Sequence, residues 1–471
     1  MRRYVIATLS VWCAACTQAP ITQVPVMPLA AAYKEAPASA SDASLILPAQ
    51  EWWLLFGDAE LNSLQQRLID NSPDLASALA RYRQAQAATG QLRAAELPTL
   101  GTSLNGQRIR QSERRPLRVL GPTSPNEYNS ATLGLDFQYE IDLWGRVREQ
   151  VNAGVAEEKA AKADLAAARL SLQATLTDTL VALRGFDEEA AMLSDTVAAY
   201  SRAVDMINRR HDEGIASGLD VARVEAQLQS ARSQAQQVQA QRAIMEHAIA
   251  ALVGANASSF SIAPRVVPAT TPAIPLGLPS ALLQRRPDIA AAQLRIAAAS
   301  AKVGIAQTAF FPSLNLGAQG GFQSSDFAKF IEMPNLFWAI GPTLAVSLFD
   351  GGRRKAQVAG AEAVLDEAGQ RYRTTVLGAF QQVEDQLALL SHYGEAAKEE
   401  SLGAVAAQRA LTLAEIRYKQ GAVSYLDVIV AQTNALQAQR STRDLNTRQR
   451  RAAVQLVKAL GGGWSVEAGG S

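Results

Sequence analysis

The chain has 471 residues, of which 48% are hydrophobic and 19% are charged. Its 45 Lys and Arg residues nearly balance 44 Asp and Glu residues, so the formal net charge is +1 and no basic field attracts nucleic acid. Two cysteines and three scattered histidines argue against a disulfide framework and against a histidine-based metal centre. Since there is also no glycine-rich phosphate loop and no Ser-His-Asp arrangement, the sequence indicates that the protein is not an enzyme.

The first predicted element is a signal peptide over residues 1–15. Arg2 and Arg3 give it a positive start, a short apolar run follows, and two alanines precede the cleavage site. Cys16 comes next, in the position where a lipobox has the cysteine that becomes lipidated. We therefore expect a covalent lipid on Cys16 and no other cofactor. The alternative is ordinary signal cleavage nearby, with Cys16 unmodified.

The rest of the chain contains an internal repeat. Pro73-Asp74 recurs 214 residues later as Pro287-Asp288, and Gly145-Arg146 recurs 207 residues later as Gly352-Arg353. A repeat of this length is a duplicated half rather than a solenoid unit. We therefore expect an internal two-fold repeat in which each half builds the same elements.

Long helices are predicted in two windows without proline, residues 126–263 and 343–471. In the first window, apolar residues from Leu183 to Ile207 are spaced alternately by three and four, which is a coiled-coil seam. At 1.5 Å per residue, a helix from Arg146 to Arg210 measures about 98 Å. A medium helix of about 52 Å and a short helix of about 35 Å, stacked end to end, nearly match that length. The predicted helices are Asp74 to Glu96, Arg146 to Arg210, Leu219 to Val253, Asp288 to Ala309, Arg353 to Arg417 and Leu426 to Leu460.

Two segments ahead of each long helix alternate between apolar and polar residues, which is the period of a two-faced strand. Four strands cannot close a barrel, which needs about eight, and open sheet edges are not tolerated in lipid. A membrane barrel would therefore be shared between chains. The alternative is a small soluble sheet, but aromatic residues at the strand ends favour a membrane. The predicted strands are Thr99 to Arg110, Ala131 to Leu143, Ser313 to Gln323 and Trp338 to Phe349.

Five motifs in order make the chain similar to a known family over Trp52 to Trp464. They are EIDLWGR (140–146), LLQRRPDI (282–289), FFPSLNL (310–316), SLFDGGRR (347–354) and ALGGGW (459–464). With these motifs the chain resembles the outer membrane factors, the TolC-like, NodT-type efflux lipoproteins that serve resistance-nodulation-division pumps.

The resemblance implies an α+β fold with a defined assembly. Each chain would supply a four-stranded share of a trimeric, twelve-stranded transmembrane β-barrel, continued by a long α-helical periplasmic barrel. The implied function is a passive exit duct of a tripartite efflux system, which exports small toxic compounds across the periplasm and outer membrane of a Gram-negative cell. The alternatives are the exit duct of a type I protein secretion system and a structural periplasmic coiled-coil lipoprotein.

The implied partners are the other copies of a homotrimer, a periplasmic adaptor protein, an inner membrane pump and outer membrane lipid, without nucleic acid or metal. Proline-rich, irregular segments would form a belt around the helical part. The expected organisation is a signal peptide (1–15), a lipidated N-terminal extension and equatorial segment (16–72), a first repeat (73–257), an equatorial linker (258–286), a second repeat (287–464) and a C-terminal tail (465–471).

The turns between the long and medium helices are the candidate periplasmic tip. Ser followed by Asp three residues later is capping-box chemistry, and glycine suits the left-handed position after a helix. The resemblance implies that the same turns carry the gate and dock the adaptor. Asp427 matches the first acidic position of the TolC gate, whereas the second is Val430 here, and Leu426 matches an apolar ring of pseudomonad-type members. The predicted gate residues are Leu219, Asp220, Leu426 and Asp427, and the predicted docking residues are Gly214, Ser217, Gly421 and Ser424.

The junctions between strands and long helices are the candidate membrane interface. Aromatic residues there would form an interfacial girdle, and basic residues would contact anionic lipid. Basic residues at a helix start oppose the helix dipole, so helix stability does not explain them. The alternative is a solvated rim in which they pair with Asp142 and Asp350. The predicted interface residues are Trp144, Arg146, Trp338, Phe349 and Arg353.

Overall fold

The computed structural model describes residues 30, 32–36, 51–112, 126–267, 270–276 and 279–465. Cys16 and the predicted signal peptide lie outside the described residues. The helices are α1 (Ala59–Asn71), α2 (Pro73–Ala94), α3 (Arg146–Asp212), α4 (Gly218–Leu252), α5 (Leu282–Arg285), α6 (Pro287–Thr308), α7 (Arg353–Lys419) and α8 (Tyr425–Ala459). The strands are β1 (Thr99–Arg110), β2 (Glu127–Ile141), β3 (Ser313–Ser324) and β4 (Leu336–Ala345).

The six predicted helices are confirmed, and their ends agree to within about two residues. Helices α3 and α7 have 67 residues each, and α4 and α8 have 35 each. Of the described helices, only α6 is long and apolar enough to cross a bilayer, and half of its most apolar stretch is buried within the fold. That burial is typical of a helix that packs in a protein core.

The coiled-coil seam is confirmed where α3 packs against α4. Leu193 is buried with Val238, and Tyr200 is buried with Leu228 and Ala231. These pairs run in opposite directions along the two helices, as expected for an antiparallel hairpin. Alanine in the seam leaves room for close approach of the two backbones.

Helix α1 was not predicted, although its signals are local. Asp58 caps its start by accepting a hydrogen bond from Glu60 N at 2.9 Å. Leu61, Leu64 and Leu68 follow at helical spacing and are fully buried. The segment is therefore a core helix within the predicted N-terminal extension and equatorial segment.

Four strands form one antiparallel sheet in the order β1-β2-β3-β4. Because side chains alternate between faces, successive rows of paired residues lie on opposite faces of the sheet. One row is apolar and consists of Leu100, Phe137, Ala318 and Ile340. The next row is small or polar and consists of Gly101, Asp136, Gln319 and Ala339. The two-faced strands are therefore confirmed, and their apolar face is exposed in the single chain.

The prediction that the fourth strand runs to Phe349 was wrong, because β4 ends at Ala345. Ala345 pairs with Ser313, the first residue of β3, and Pro312 precedes it. Proline has no N–H to donate, so the ladder stops there. The four residues after Ala345 leave the sheet, and Phe349 is 91% exposed.

The chain forms two compact units. One unit comprises Arg83–Ala160 and Gln293–Arg371 and contains the sheet. The other unit contains both helical turns and comprises, as far as they are described, residues 30, 32–36, 51–82, 161–292 and 372–465.

Candidate functional site

Each long helix ends in a turn that begins with a left-handed glycine. Gly214 has φ +74° and Gly421 has φ +75°. The N–H of Gly214 donates to His211 O, and that of Gly421 donates to Tyr418 O, both at 2.9 Å. A residue with a Cβ is strained at this φ, so the two glycines explain why both helices stop at equivalent points.

The Ser and Asp residues of the two turns are joined as predicted. Ser217 donates from its N–H (3.3 Å) and its hydroxyl (2.7 Å) to Asp220 Oδ2, and its Oγ accepts from Asp220 N at 3.1 Å. Ser424 donates from its N–H (3.0 Å) and its hydroxyl (2.8 Å) to Asp427 Oδ2. Both aspartates therefore stabilise a helix start, whatever further role they have.

The predicted gate leucines are exposed in the single chain. Leu219 is 58% exposed and Leu426 is 43% exposed, although each belongs to the first turn of a packed helix. Asp427 beside Leu426 is also exposed, whereas Asp220 is half-buried and lies 3.7 Å from the Arg223 guanidinium. Each turn therefore presents an apolar and an acidic side chain together.

An apolar cluster holds the two turns side by side. It buries Ala203 and Ile207 of α3, Val224 of α4, and Tyr425 and Val428 of α8. Gate candidates from both halves of the chain therefore lie on neighbouring turns. This proximity depends on tertiary packing, since about 200 residues separate the turns in sequence.

Two tyrosines and an arginine complete this cluster, and sequence reasoning missed them. The Tyr418 and Tyr425 rings meet edge to face at 5.1 Å, and the Arg210 guanidinium lies 4.9 Å over the Tyr418 ring. Burial raises the pKa of Tyr425 to about 12, and its hydroxyl has no hydrogen-bond partner among the described residues. A comparison of the two halves could have revealed Tyr425, because Gly218 stands at the equivalent position.

At the candidate membrane interface, Trp144 is fixed by two contacts. Its ring stacks on Phe311 at 4.9 Å, and its Nε1 donates to Pro312 O at 2.6 Å. Trp338 is exposed on the apolar face of the sheet, and Phe349 is exposed beyond the end of β4. The sheet thus presents apolar rings at its surface.

Most basic residues of this region are paired with carboxylates, as expected for a solvated rim of ion pairs. Arg146 donates to Glu140 rather than to Asp142, with 2.8 Å between Nε and Oε1. Arg354 donates to Asp350 at 2.6 Å, and this bond holds the pKa of Asp350 below its usual range. Arg353 is exposed and has no ion-pair partner among the described residues.

Asp142 and Asp350 also explain how helices with basic first turns begin. Asp142 accepts hydrogen bonds from Val147 N at 3.2 Å and Arg148 N at 3.0 Å. Asp350 accepts from Arg354 N at 3.1 Å. Each carboxylate satisfies free N–H groups at the helix start and offsets the unfavourable interaction of the arginines with the helix dipole.

Comparison with known proteins identifies the family. Residues 64–255 and 278–462 match the model of the outer membrane efflux proteins. The chain belongs to the outer membrane efflux protein family. It is 30% identical to the outer membrane protein OprJ of Pseudomonas aeruginosa over 455 residues, which are 96% of this chain and 93% of OprJ. It is also 30% identical to the toluene efflux pump outer membrane protein TtgC of Pseudomonas putida, over 96% of this chain and 94% of TtgC.

The fold of this outer membrane efflux protein also matches solved structures. A crystal structure of a membrane protein from Pseudomonas aeruginosa matches it with a TM-score of 0.85 at 30% identity, over 95% of this chain and 98% of that one. The resemblance in the five motifs is thereby confirmed, as are an α+β fold, an outer membrane location and a role in efflux. The roles of individual gate, docking and interface residues stay predictions.

Proposed function

We propose that this outer membrane efflux protein is the passive exit duct of a tripartite efflux system for small toxic compounds. The two-faced sheet carries the proposal. Its apolar face is exposed, with Leu104 at 76% and Ile340 at 67%, as a lipid-facing surface requires. Its other face consists mostly of small and polar residues, as a water-filled interior requires. A structural coiled-coil lipoprotein would have no use for such a sheet.

The working assembly is a homotrimer. Within the described chain, β1 and β4 each pair on one side only, so the sheet has two open edges. Three copies supply twelve strands, enough to close a barrel without free edges. A stripe of exposed apolar residues on α7 also supports assembly, because other copies would cover it. We call it the α7 stripe, and it comprises Leu402, Val405, Leu413 and Ile416.

The two halves of the chain form a structural repeat, and each half contributes one long helix and one medium helix. Three copies therefore supply six such helix pairs, which line the periplasmic channel. Equal lengths of 67 residues for α3 and α7, and of 35 for α4 and α8, support this proposal. The expected domain organisation follows from the same repeat.

The helical turns form the gate and the docking site. Three copies of Leu426 and Asp427 would surround one opening, and the side-by-side packing of the turns brings Leu219 and Asp220 near it. A periplasmic adaptor would bind the turns through the four docking residues, and an inner membrane pump would supply the energy. The name of TtgC, an efflux pump component, supports a pump partner.

The N-terminus carries a lipid on Cys16 that enters the outer membrane. Cys16→Ser should abolish labelling by a fatty acid, while the trimer still inserts because twelve strands bury far more apolar surface than one anchor. An unmodified N-terminus elsewhere in mass spectrometry would contradict the lipid proposal alone.

Conductance of the purified trimer in a planar bilayer tests the duct. Leu426→Ser should raise the conductance of the closed duct, because it removes an apolar ring. Asp427→Ala should lower its preference for cations, because three carboxylates are lost. Leu377→Ser is the control, since it removes an exposed leucine from α7 at a distance of 44 residues from Gly421. If neither tip variant differs from this control while trimers remain intact, the turns are helix caps only and the gate lies elsewhere.

A further inference from the structure

One charged side chain in the sheet has no partner among the residues that the structure describes. Arg108 and Arg110 both lie within 3.5 Å of Glu127 oxygens, and Glu140 accepts from Arg146. Asp136 of β2 is exposed, and neither a hydrogen bond nor an ion pair to its carboxylate occurs among the described residues. The four strands contain five charged residues, namely Arg108, Arg110, Glu127, Asp136 and Glu140.

The surroundings of Asp136 leave its carboxylate open to solvent. It lies on the polar face, opposite Gly101 in β1 and Gln319 in β3. Gly134, two residues earlier on the same face, has no side chain, and a Cβ built there would lie 3.8 Å from Asp136 Oδ2. Gly134 in turn faces Gly321 in β3. The carboxylate is therefore surrounded, on this face of the sheet, by uncharged and mostly small residues.

We propose that Asp136 determines the charge preference of the barrel by attracting cationic solutes and repelling anionic ones. This inference rests on the proposed function, in which the polar face lines the duct and three copies set three carboxylates at one level. An uncompensated charge on a neutral wall dominates the local potential, because no neighbouring side chain offsets it. Asp136 would thus add a charge preference that does not depend on the carboxylates of the helical turns.

The size of the effect follows from Coulomb's law. A solute group about 7 Å from one carboxylate in water gains or loses roughly 0.6 kcal/mol, which changes a local concentration about 2.7-fold per unit charge. Screening reduces this little at 10 mM salt, where the Debye length is about 30 Å, and removes it at 1 M, where the length is about 3 Å. A purely structural role for Asp136 would show no such salt dependence.

A reporter cysteine on the same face measures this potential independently of the gate. Gln138 lies two residues from Asp136, about 7 Å along the strand, and is exposed. Gln138→Cys is made in a chain whose two native cysteines, Cys13 and Cys16, are replaced by serine. The rates of its modification by thiosulfonate reagents of charge +1 and −1 are compared in liposomes, with Asp136 present and with Asp136→Asn.

We expect Asp136→Asn to lower the ratio of cationic to anionic rates about fivefold at 10 mM salt and to leave it unchanged at 1 M. Glu332→Gln is the matched control. It removes an exposed carboxylate from the segment between β3 and β4, outside the strands, and should leave the ratio unchanged. A ratio that Asp136→Asn does not alter at 10 mM overturns the inference while the duct itself stands.

A second reporter tests the orientation on which the inference rests. Leu104→Cys lies on the apolar face and should not react with either charged reagent, since lipid covers it. If Leu104→Cys reacts as fast as Gln138→Cys, the polar face is not the lining of the duct, and the proposed function fails together with the inference.

Discussion

Contacts between single residues join two of the five family motifs, LLQRRPDI (282–289) and ALGGGW (459–464). The Arg286 guanidinium is buried, pairs with both oxygens of Asp288 at 2.6 and 3.0 Å, and donates to Ala459 O at 3.0 Å. Gly461, just after α8, lies against the carbonyl of Arg285, and a Cβ built on Gly461 would stand 1.9 Å from that oxygen. The arginine motif and the glycine run are therefore two sides of one close contact.

Gly461→Ala should destabilise the protein, because it adds a methyl group where there is no space and where φ is +91°. Left-handed strain alone costs about 1–2 kcal/mol, and displacing the Arg285 backbone adds to it. The thermal unfolding midpoint should fall by several degrees. Gly360→Ala in α7, with no atom within 4 Å of the added Cβ, should raise it instead. Equal midpoints for the two variants would contradict the contact.

Tyr425 should make stability depend on alkaline pH. Its pKa is raised by burial from 10.0 to about 12, so the folded chain holds the proton more tightly than the unfolded chain. Stability is therefore fully present below pH 10 and is lost as pH rises towards 12, by up to about 3 kcal/mol. Tyr425→Phe should remove that loss. Unfolding midpoints at pH 7 and pH 11 measure it.

Tyr33 also contributes to the alkaline loss of stability, because burial raises its pKa to about 12. The Tyr425→Phe variant should therefore still lose some stability at alkaline pH. At pH 7, Tyr425→Phe should not be destabilising, since the hydroxyl has no hydrogen-bond partner among the described residues. A loss of more than about 1 kcal/mol at pH 7 would mean that another copy supplies a partner to the hydroxyl.

Among the structural elements, buried charges hold the linker to the helices. Asp187 of α3 accepts hydrogen bonds from Arg242 Nε of α4 at 2.6 Å and from Arg265 N of the linker at 3.0 Å. Arg242 in turn donates to Ile262 O at 2.6 Å, and Arg184 donates to Ala263 O at 3.0 Å. Helix side chains thus satisfy backbone groups that an irregular segment cannot pair by itself.

Asp187→Ala should release the linker. It removes the shared carboxylate from two buried arginines at a cost of about 3 kcal/mol, even though Arg184 keeps Glu60 and Arg242 keeps Glu246 as partners. Trypsin should then cleave the folded protein faster after Arg265. Asp444→Ala breaks an exposed ion pair with Arg448 and should cost less than about 1 kcal/mol, with unchanged cleavage. Unchanged cleavage in both variants would show that the hydrogen bonds of Asp187 do not hold the linker in place.

At the scale of the whole molecule, the α7 stripe and the open sheet edges both call for further copies of the chain. Val405→Asp should weaken the proposed trimer, because it would bury an unpaired charge between chains. Ser401→Asp is the control, since Ser401 is exposed and already polar. Native mass spectrometry in detergent should show monomers for Val405→Asp and trimers for Ser401→Asp. Intact trimers for both would exclude the α7 stripe from the interface.

The sequence by itself determined the elements whose signals are local. Helices α3 and α7 were predictable because no proline interrupts them and because Gly214 and Gly421 end them. The exact extent of β1 was predictable because its alternation starts directly after Pro98. Family membership could also be predicted, since the five motifs are contiguous stretches of sequence.

Only the tertiary structure decided features that depend on residues far apart in the chain. The end of β4 at Ala345 depends on Pro312, which precedes the first residue of its partner strand and lies more than 30 residues earlier in the chain. The contact of Arg210 with Tyr418 joins turns about 200 residues apart. Periodicity and capping act over a few residues and can be read from sequence, whereas register, ion pairing and ring contacts arise only when distant segments pack together.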